Sequence, residues 1–246
     1  MKKIIAIIAA LIFAVSLVFL SSDVFKGGNS GNELYSKVTI KDDTFTGDYV
    51  KKINGIQVKV EKGYTYSHYL EIKRIIEGTP VVCFEGIERI VLTPRHPYLA
   101  ANKNPDEKLL KYVEEHPNTS GLYSATSVVG SKEVMGTLYL KDCKDYVNTY
   151  IHELAHHVDK IMGVNGKSIS ESDEFHSLCK AFTTKMSKNP DPIPQWFAKQ
   201  SDSELFAYFA ECIYVDDGTS YHKIVTSYPK IVKYYDDWIE ALQDSE

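Results

Sequence analysis

The 246-residue chain has no C-x-x-C pair, no surplus of basic residues, no internal repeat and only one long apolar run. Each absence removes a class of protein. The four cysteines, Cys83, Cys143, Cys179 and Cys212, stand 60, 36 and 33 residues apart, which excludes a structural zinc knot of paired cysteines. With 28 Lys and Arg against 33 Asp and Glu the net charge is −5, the wrong sign for a nucleic-acid binder, which needs a basic face. Hydrophobic residues make up 43% and charged ones 25%, the composition of neither a disordered chain nor a multi-span membrane protein. The length suits one ordinary domain with a sizeable core.

The single apolar run lies at the N-terminus. Met1, Lys2 and Lys3 precede residues 4–20, interrupted only by Ser16, which is the layout of a secretory signal. As a helix the run would reach about 26 Å, short of the roughly 30 Å of a bilayer core. Residues 1–22 are therefore expected to be a signal peptide, with an uncleaved N-terminal membrane anchor, lysines inside, as the alternative. No Cys follows the run, so a lipoprotein anchor is excluded. Both readings place the rest of the chain outside the cytoplasm, secreted or membrane-anchored. Disulfides are allowed there, but three of the cysteines fall in apolar helical stretches and free, buried thiols are expected. Loss of Lys2 and Lys3 would take the net charge from −5 to −7.

Residues 23–33, rich in Gly, Ser and Asn, read as a flexible tether before a domain over 34–246. Strands are expected at 37–40, 56–60, 87–93, 122–129 and 134–140, the last two joined at Gly130-Ser131. A helix at 66–77 and another at 105–115, capped by Asn104, interrupt them. From Asp142 onward the pattern is helical, at 143–162, 172–187, 202–214 and 229–243, the last with Ile231, Val232, Tyr235, Trp238, Ile239 and Leu242 as a core face. Strands first and helices later predict an α+β fold, a small sheet followed by a helical half.

That helical half carries the chemistry. Residues 152–157 read His-Glu-Leu-Ala-His-His, and an H-E-x-x-H on a helix sets two imidazoles one turn apart on one face. Both rings can reach one Zn²⁺, while Glu153 can face a water on it as general base. Val147, Ile151, Leu154, Val158 and Ile161 form an apolar stripe that leaves His152 and His156 on another face. Asp142 is placed to cap this helix, with Asp145 inside its first turn. His157 points about 100° away and is expected to pack or face solvent; His68, His96, His116 and His222 read as surface or loop histidines.

A zinc site of this kind needs a third protein ligand. Position 162 is Met, so a third histidine in the extended motif is absent. The helix 201–214 offers Glu204 and Glu211, seven apart on one face with Tyr208 between them. Ser201-x-x-Glu204 also has the form of a capping box, in which the glutamate would bond backbone. The pattern alone leaves the ligand open between Glu204 and Glu211.

His152-Glu-Leu-Ala-His156-His-Val-Asp159, followed by Glu204-x-Phe206-Ala207, resembles the anthrax lethal factor-like zinc metallopeptidases, which include the secreted clostridial Pro-Pro endopeptidases. The resemblance implies a gluzincin-like catalytic domain with His152, His156 and Glu204 as zinc ligands and Glu153 as catalytic base. It also implies that Asp159, at i+7 from His152, orients that ring. Two positions depart from the family pattern. Tyr208 stands where the second glutamate of E-x-F-A-E belongs, leaving Glu211 to supply that carboxylate. Trp196 and Phe197 stand where relatives carry the tyrosine that stabilises the oxyanion, and Tyr208, Tyr214 and His176 are the candidates to replace it. The expected activity is a secreted or surface-tethered zinc endopeptidase acting on a protein or peptide substrate. The run 134–140 is expected to serve as an edge strand for that substrate. The alternative is a non-catalytic extracellular binding module that keeps the fold.

Overall fold

A computed structural model describes residues 38–79, 81–127, 134–161, 167–215 and 217–243. The N-terminal run, the tether, the expected turn at 130–131 and the side chains of Trp238, Ile239 and Leu242 lie outside what is described. Among the described residues no helix is long and apolar enough to cross a membrane.

A two-stranded ribbon, β1 (Ile40–Lys41) and β2 (Thr44–Phe45), precedes a five-stranded sheet of β3 (Tyr49–Ile53), β4 (Ile56–Val60), β5 (Ile87–Thr93), β6 (Gly121–Ser127) and β7 (Val134–Lys141). Its order is β3-β4-β5-β7-β6, antiparallel at both margins and parallel through β4, β5 and β7. Asn54 and Gly55, both at positive φ, close the β3–β4 hairpin, the dipeptide a two-residue turn favours. β5, parallel on both sides, is buried at Ile87 and again from Ile90 to Thr93, where Ile90, Val91 and Leu92 form the apolar run of an interior strand.

Between β4 and β5 runs α1 (Tyr66–Gly78), burying Tyr69, Ile72, Ile75 and Ile76 at helical spacing. The excursion from β5 to β6 carries α2 (Pro97–Ala101) and α3 (Glu107–Glu115). Asp106 rather than Asn104 caps α3, its carboxylate accepting the Leu109 N–H at 2.8 Å. After β7 come α4 (Tyr146–Ile161), α5 (Asp173–Met186), α6 (Pro192–Phe197), α7 (Asp202–Tyr214), α8 (Ser220–Thr226) and α9 (Pro229–Gln243). Tyr150, Ile151, Leu154 and Val158 of α4 join one hydrophobic core with the sheet, and with Phe175, Phe182, Phe206 and Phe209 of the helical half. The fold is α+β, as the order of elements predicts.

Two local expectations are corrected. β7 is an interior strand, flanked by β5 and β6; the edge on this side of the sheet is β6. Asp142 does not cap α4, because its carboxylate is taken by the Thr65 N–H and hydroxyl at 2.8 and 2.7 Å and by His68 Nδ1 at 2.6 Å. His96 lies in the loop ahead of α2, as a loop histidine is expected to, but is buried there, its Nε2–H donating to the His116 carbonyl at 3.0 Å. The four cysteines are free; Cys83, Cys179 and Cys212 are buried, and Cys143 precedes α4, half-buried.

One polar cluster ties β4 to β5. The Glu61 carboxylate receives Arg95 Nε at 2.9 Å, Arg95 Nη2 at 2.7 Å and the Thr93 hydroxyl at 2.7 Å. Burial alone would raise this carboxyl, but the bonds from Arg95 and Thr93 outweigh it and hold Glu61 below its ordinary value of 4.5. Its contribution to stability is thus present above about pH 4.5 and is lost as pH falls through the lowered value. Glu61→Gln is expected to cost about 1–3 kcal/mol at neutral pH and to flatten the loss of stability in acid, read from urea unfolding across that range.

Candidate metal centre

Helix α4 places His152 and His156 on the face that its apolar stripe leaves free, and α7 crosses in front of it. The N-terminus of α7 is built by Ser201, whose hydroxyl accepts the Glu204 N–H at 3.2 Å. The Glu204 side chain does not complete a capping box. It turns to the histidines, with Oε2 3.5 Å from His152 Nε2 and Oε1 3.5 Å from His156 Nε2. The two Nε2 atoms stand 3.2 Å apart. Glu211, two turns further along α7, lies on the other side of His152, its Oε2 3.2 Å from Nδ1. The geometry thus separates the two glutamates: Glu204 faces the ligating nitrogens and Glu211 the back of one ring.

Both Nδ1 atoms are occupied from outside the centre. A carboxylate only accepts, so His152 Nδ1 carries the hydrogen towards Glu211. His156 Nδ1 faces the Ser203 hydroxyl at 3.4 Å, which itself donates to Asp159 at 3.3 Å. Asp159 therefore reaches the centre on the His156 side, not the His152 side as the i+7 spacing implied. Its carboxylate is otherwise held by the Ser170 N–H and hydroxyl, each at 2.7 Å. With Nδ1 protonated on both rings, the Nε2 lone pairs converge on one point beside a carboxylate. A tetrahedral zinc with bonds of about 2.0–2.1 Å has ligand–ligand edges of roughly 3.3 Å, close to the separations found here. His152, His156 and Glu204 form a group that could hold a metal ion.

Electrostatics favours a cation at that point. Burial opposes a charge on His152, yet hydrogen bonding to Glu204 and Glu211 carries its imidazole up to about 9. Burial and the neighbouring charge of His152 push His156 down to about 4. Hydrogen bonding from His152 holds the Glu204 carboxyl below its ordinary value. Without metal, the positive charge thus rests on His152 and not on His156, facing the Glu204 and Glu211 carboxylates.

Glu153 points from the same helix towards β6. It is 7% exposed, and burial pushes its carboxyl up to about 7 against the opposing pull of His152 and of the Tyr123 N–H. Gly121 is what lets it approach: a Cβ there would lie 2.3 Å from Oε1 and 2.6 Å from Cγ. All seven expected site residues, His152, Glu153, His156, Asp159, Glu204, Tyr208 and Glu211, line one cleft of about 1010 Å³. Tyr208 packs edge-on against the His152 ring at 4.4 Å between centroids, with Trp196 behind it at 4.7 Å. The other two candidates for an oxyanion donor are elsewhere. Tyr214 is buried against Tyr235, and His176 is exposed beside Asp202. Gly121, Tyr123, Ser203 and Tyr98 also line the cleft and are missed by sequence reasoning; no local spacing marks them, since each belongs to the site only through tertiary contact.

No protein family, curated protein or solved structure gives a match to this chain.

Proposed function

We propose that the chain is a zinc-dependent endopeptidase, secreted or tethered through residues 4–20, that hydrolyses peptide bonds in extracellular proteins. The observation that carries this reading is Glu153. A carboxylate buried beside two converging imidazoles, its carboxyl pushed up to about 7 by that burial, suits a general base and adds nothing to a purely structural metal site. The likeness of residues 152–159 and 204–207 to the lethal factor-like metallopeptidases supports the same function.

Zinc on His152, His156 and Glu204 would supply a Lewis acid that polarises the scissile carbonyl and acidifies water. Glu153 takes a proton from the attacking water and passes it to the departing amine. Glu211 and Ser203 keep the two rings in the tautomer that turns Nε2 inward. Tyr208 lines the cleft beside His152 and is the donor we assign to the developing oxyanion.

The cleft follows α4 from Lys144 and Asp145 to Lys160. The 16 residues of that helix span about 24 Å, room for about seven residues of extended peptide at roughly 3.4 Å each. That length supports cleavage within a chain. β6, not β7, offers the edge. Lys141 N–H donates to the Ser120 carbonyl at 2.7 Å, and the antiparallel register then turns the backbone groups of Gly121, Tyr123 and Ala125 away from β7; the Tyr123 N–H faces Glu153, which leaves the groups of Gly121 and Ala125 and the Tyr123 carbonyl for pairing. An extended substrate can pair there.

The test is a peptide library incubated with the zinc-loaded protein, with products mapped by mass spectrometry with and without a chelator. Chelator-sensitive internal cleavage is expected. Retained zinc without cleavage would instead favour the binding module. Gly121→Ala is expected to lower turnover on the order of 10²-fold at unchanged zinc content, because the added methyl displaces the Glu153 carboxylate.

A further inference from the structure

Directly after the motif stands His157, fully buried although it is a histidine on the helix that bears the site. Both of its ring nitrogens are engaged. Nε2 lies 2.9 Å from the Glu85 carbonyl, which only accepts, so Nε2 carries the hydrogen and Nδ1 is bare. Nδ1 then accepts from the Tyr123 hydroxyl at 3.1 Å. The Tyr123 ring stands edge-on to His157, 5.3 Å between centroids, and lies over Gly136 of β7. A Cβ at Gly136 would meet Tyr123 Cε2 at 2.6 Å and its hydroxyl at 3.1 Å, so only glycine admits the ring in this position.

Tyr123 is thereby held at its hydroxyl, at its ring edge and from beneath, more than an edge-strand tyrosine needs for packing alone. Its backbone N–H, one of those turned away from β7, faces the Glu153 carboxylate and favours its charged form. Gly121, two residues earlier on the same strand, bounds that carboxylate on its other side. An edge strand has a ladder of hydrogen bonds on one side only, so the position of its outer amides is set by whatever else fastens it.

We propose that Tyr123 is a positioning residue for Glu153, with His157 acting through it: the Glu85–His157–Tyr123 chain pins β6, and the pinned Tyr123 amide fixes the catalytic carboxylate. The consequence for turnover rests on the peptidase reading, whereas the pinning itself does not.

Tyr123→Phe keeps the ring over Gly136 and removes only the hydroxyl, so it is the primary variant. In the zinc-loaded full chain, amide hydrogen exchange by NMR at residue 123 is expected to quicken about tenfold. The amides of Leu122 and Ser124, bonded to β7, serve as controls and are expected to stay unchanged. On a cleaved peptide, kcat is expected to fall about tenfold with KM and zinc content unchanged. His157→Leu is expected to have the same effect and the double variant no more, because both break one link. His157→Gln is expected to restore most of both signals, since its amide offers the same donor and acceptor. Unchanged exchange at residue 123 together with unchanged kcat in Tyr123→Phe overturns the proposal and leaves the peptidase reading standing. Quickened exchange at 123 in a protein that cleaves nothing supports the pinning and refutes the peptidase reading.

Discussion

Glu153→Gln is expected to keep zinc at one ion per chain and to lose at least about 10³-fold in peptide hydrolysis. Glu153 is not part of the group of His152, His156 and Glu204, so its change leaves the donor set intact. Its carboxylate sits between Gly121 and the Tyr123 amide, where glutamine fits without added bulk. What is lost is the ability to take and return a proton. Steady-state hydrolysis beside metal analysis of the same sample reads both effects, and normal hydrolysis by the variant would remove Glu153 from the mechanism.

The second large effect separates the glutamates of α7. Glu211→Ala is expected to weaken zinc binding by about 10–100-fold, the usual cost of losing a partner behind a ligating histidine. Glu204→Ala should cost more than that, because its oxygens lie 3.5 Å from both Nε2 atoms while Glu211 reaches only Nδ1 of His152. Glu211 is also partly engaged by the Asn148 amide, which bonds Asp217 as well. Competition with a chelating dye ranks the two, and the reverse order would transfer the ligand role to Glu211.

Structure is legible in this sequence where one element contains its own signal. Helix α7 begins and ends where the Ser201 cap and the apolar spacing predict, and the i, i+4 histidines of α4 share a face because a helix compels it. Contacts made across the fold leave no such mark. Asp142 has the spacing of a cap for α4, yet Thr65 and His68 on a distant segment claim its carboxylate. Asp159 has the spacing to serve His152, yet Ser170 and Ser203 draw it to the other ring. Residues 134–140 stand just before the site helix and are expected at the edge, yet they lie inside the sheet, because strand order depends on where β6 pairs and nothing along β7 encodes that. The approach of Glu153 to Gly121 is of the same kind: one glycine among 14, with nothing local to single it out.

The most direct test of zinc-dependent peptidase activity is a zinc titration of the metal-free protein with hydrolysis of a cleaved peptide as the readout. Activity should be absent without metal, rise in proportion to added zinc and level off at one equivalent. Hydrolysis that persists without metal, or a zinc-loaded protein that cleaves no peptide at one equivalent, would contradict it.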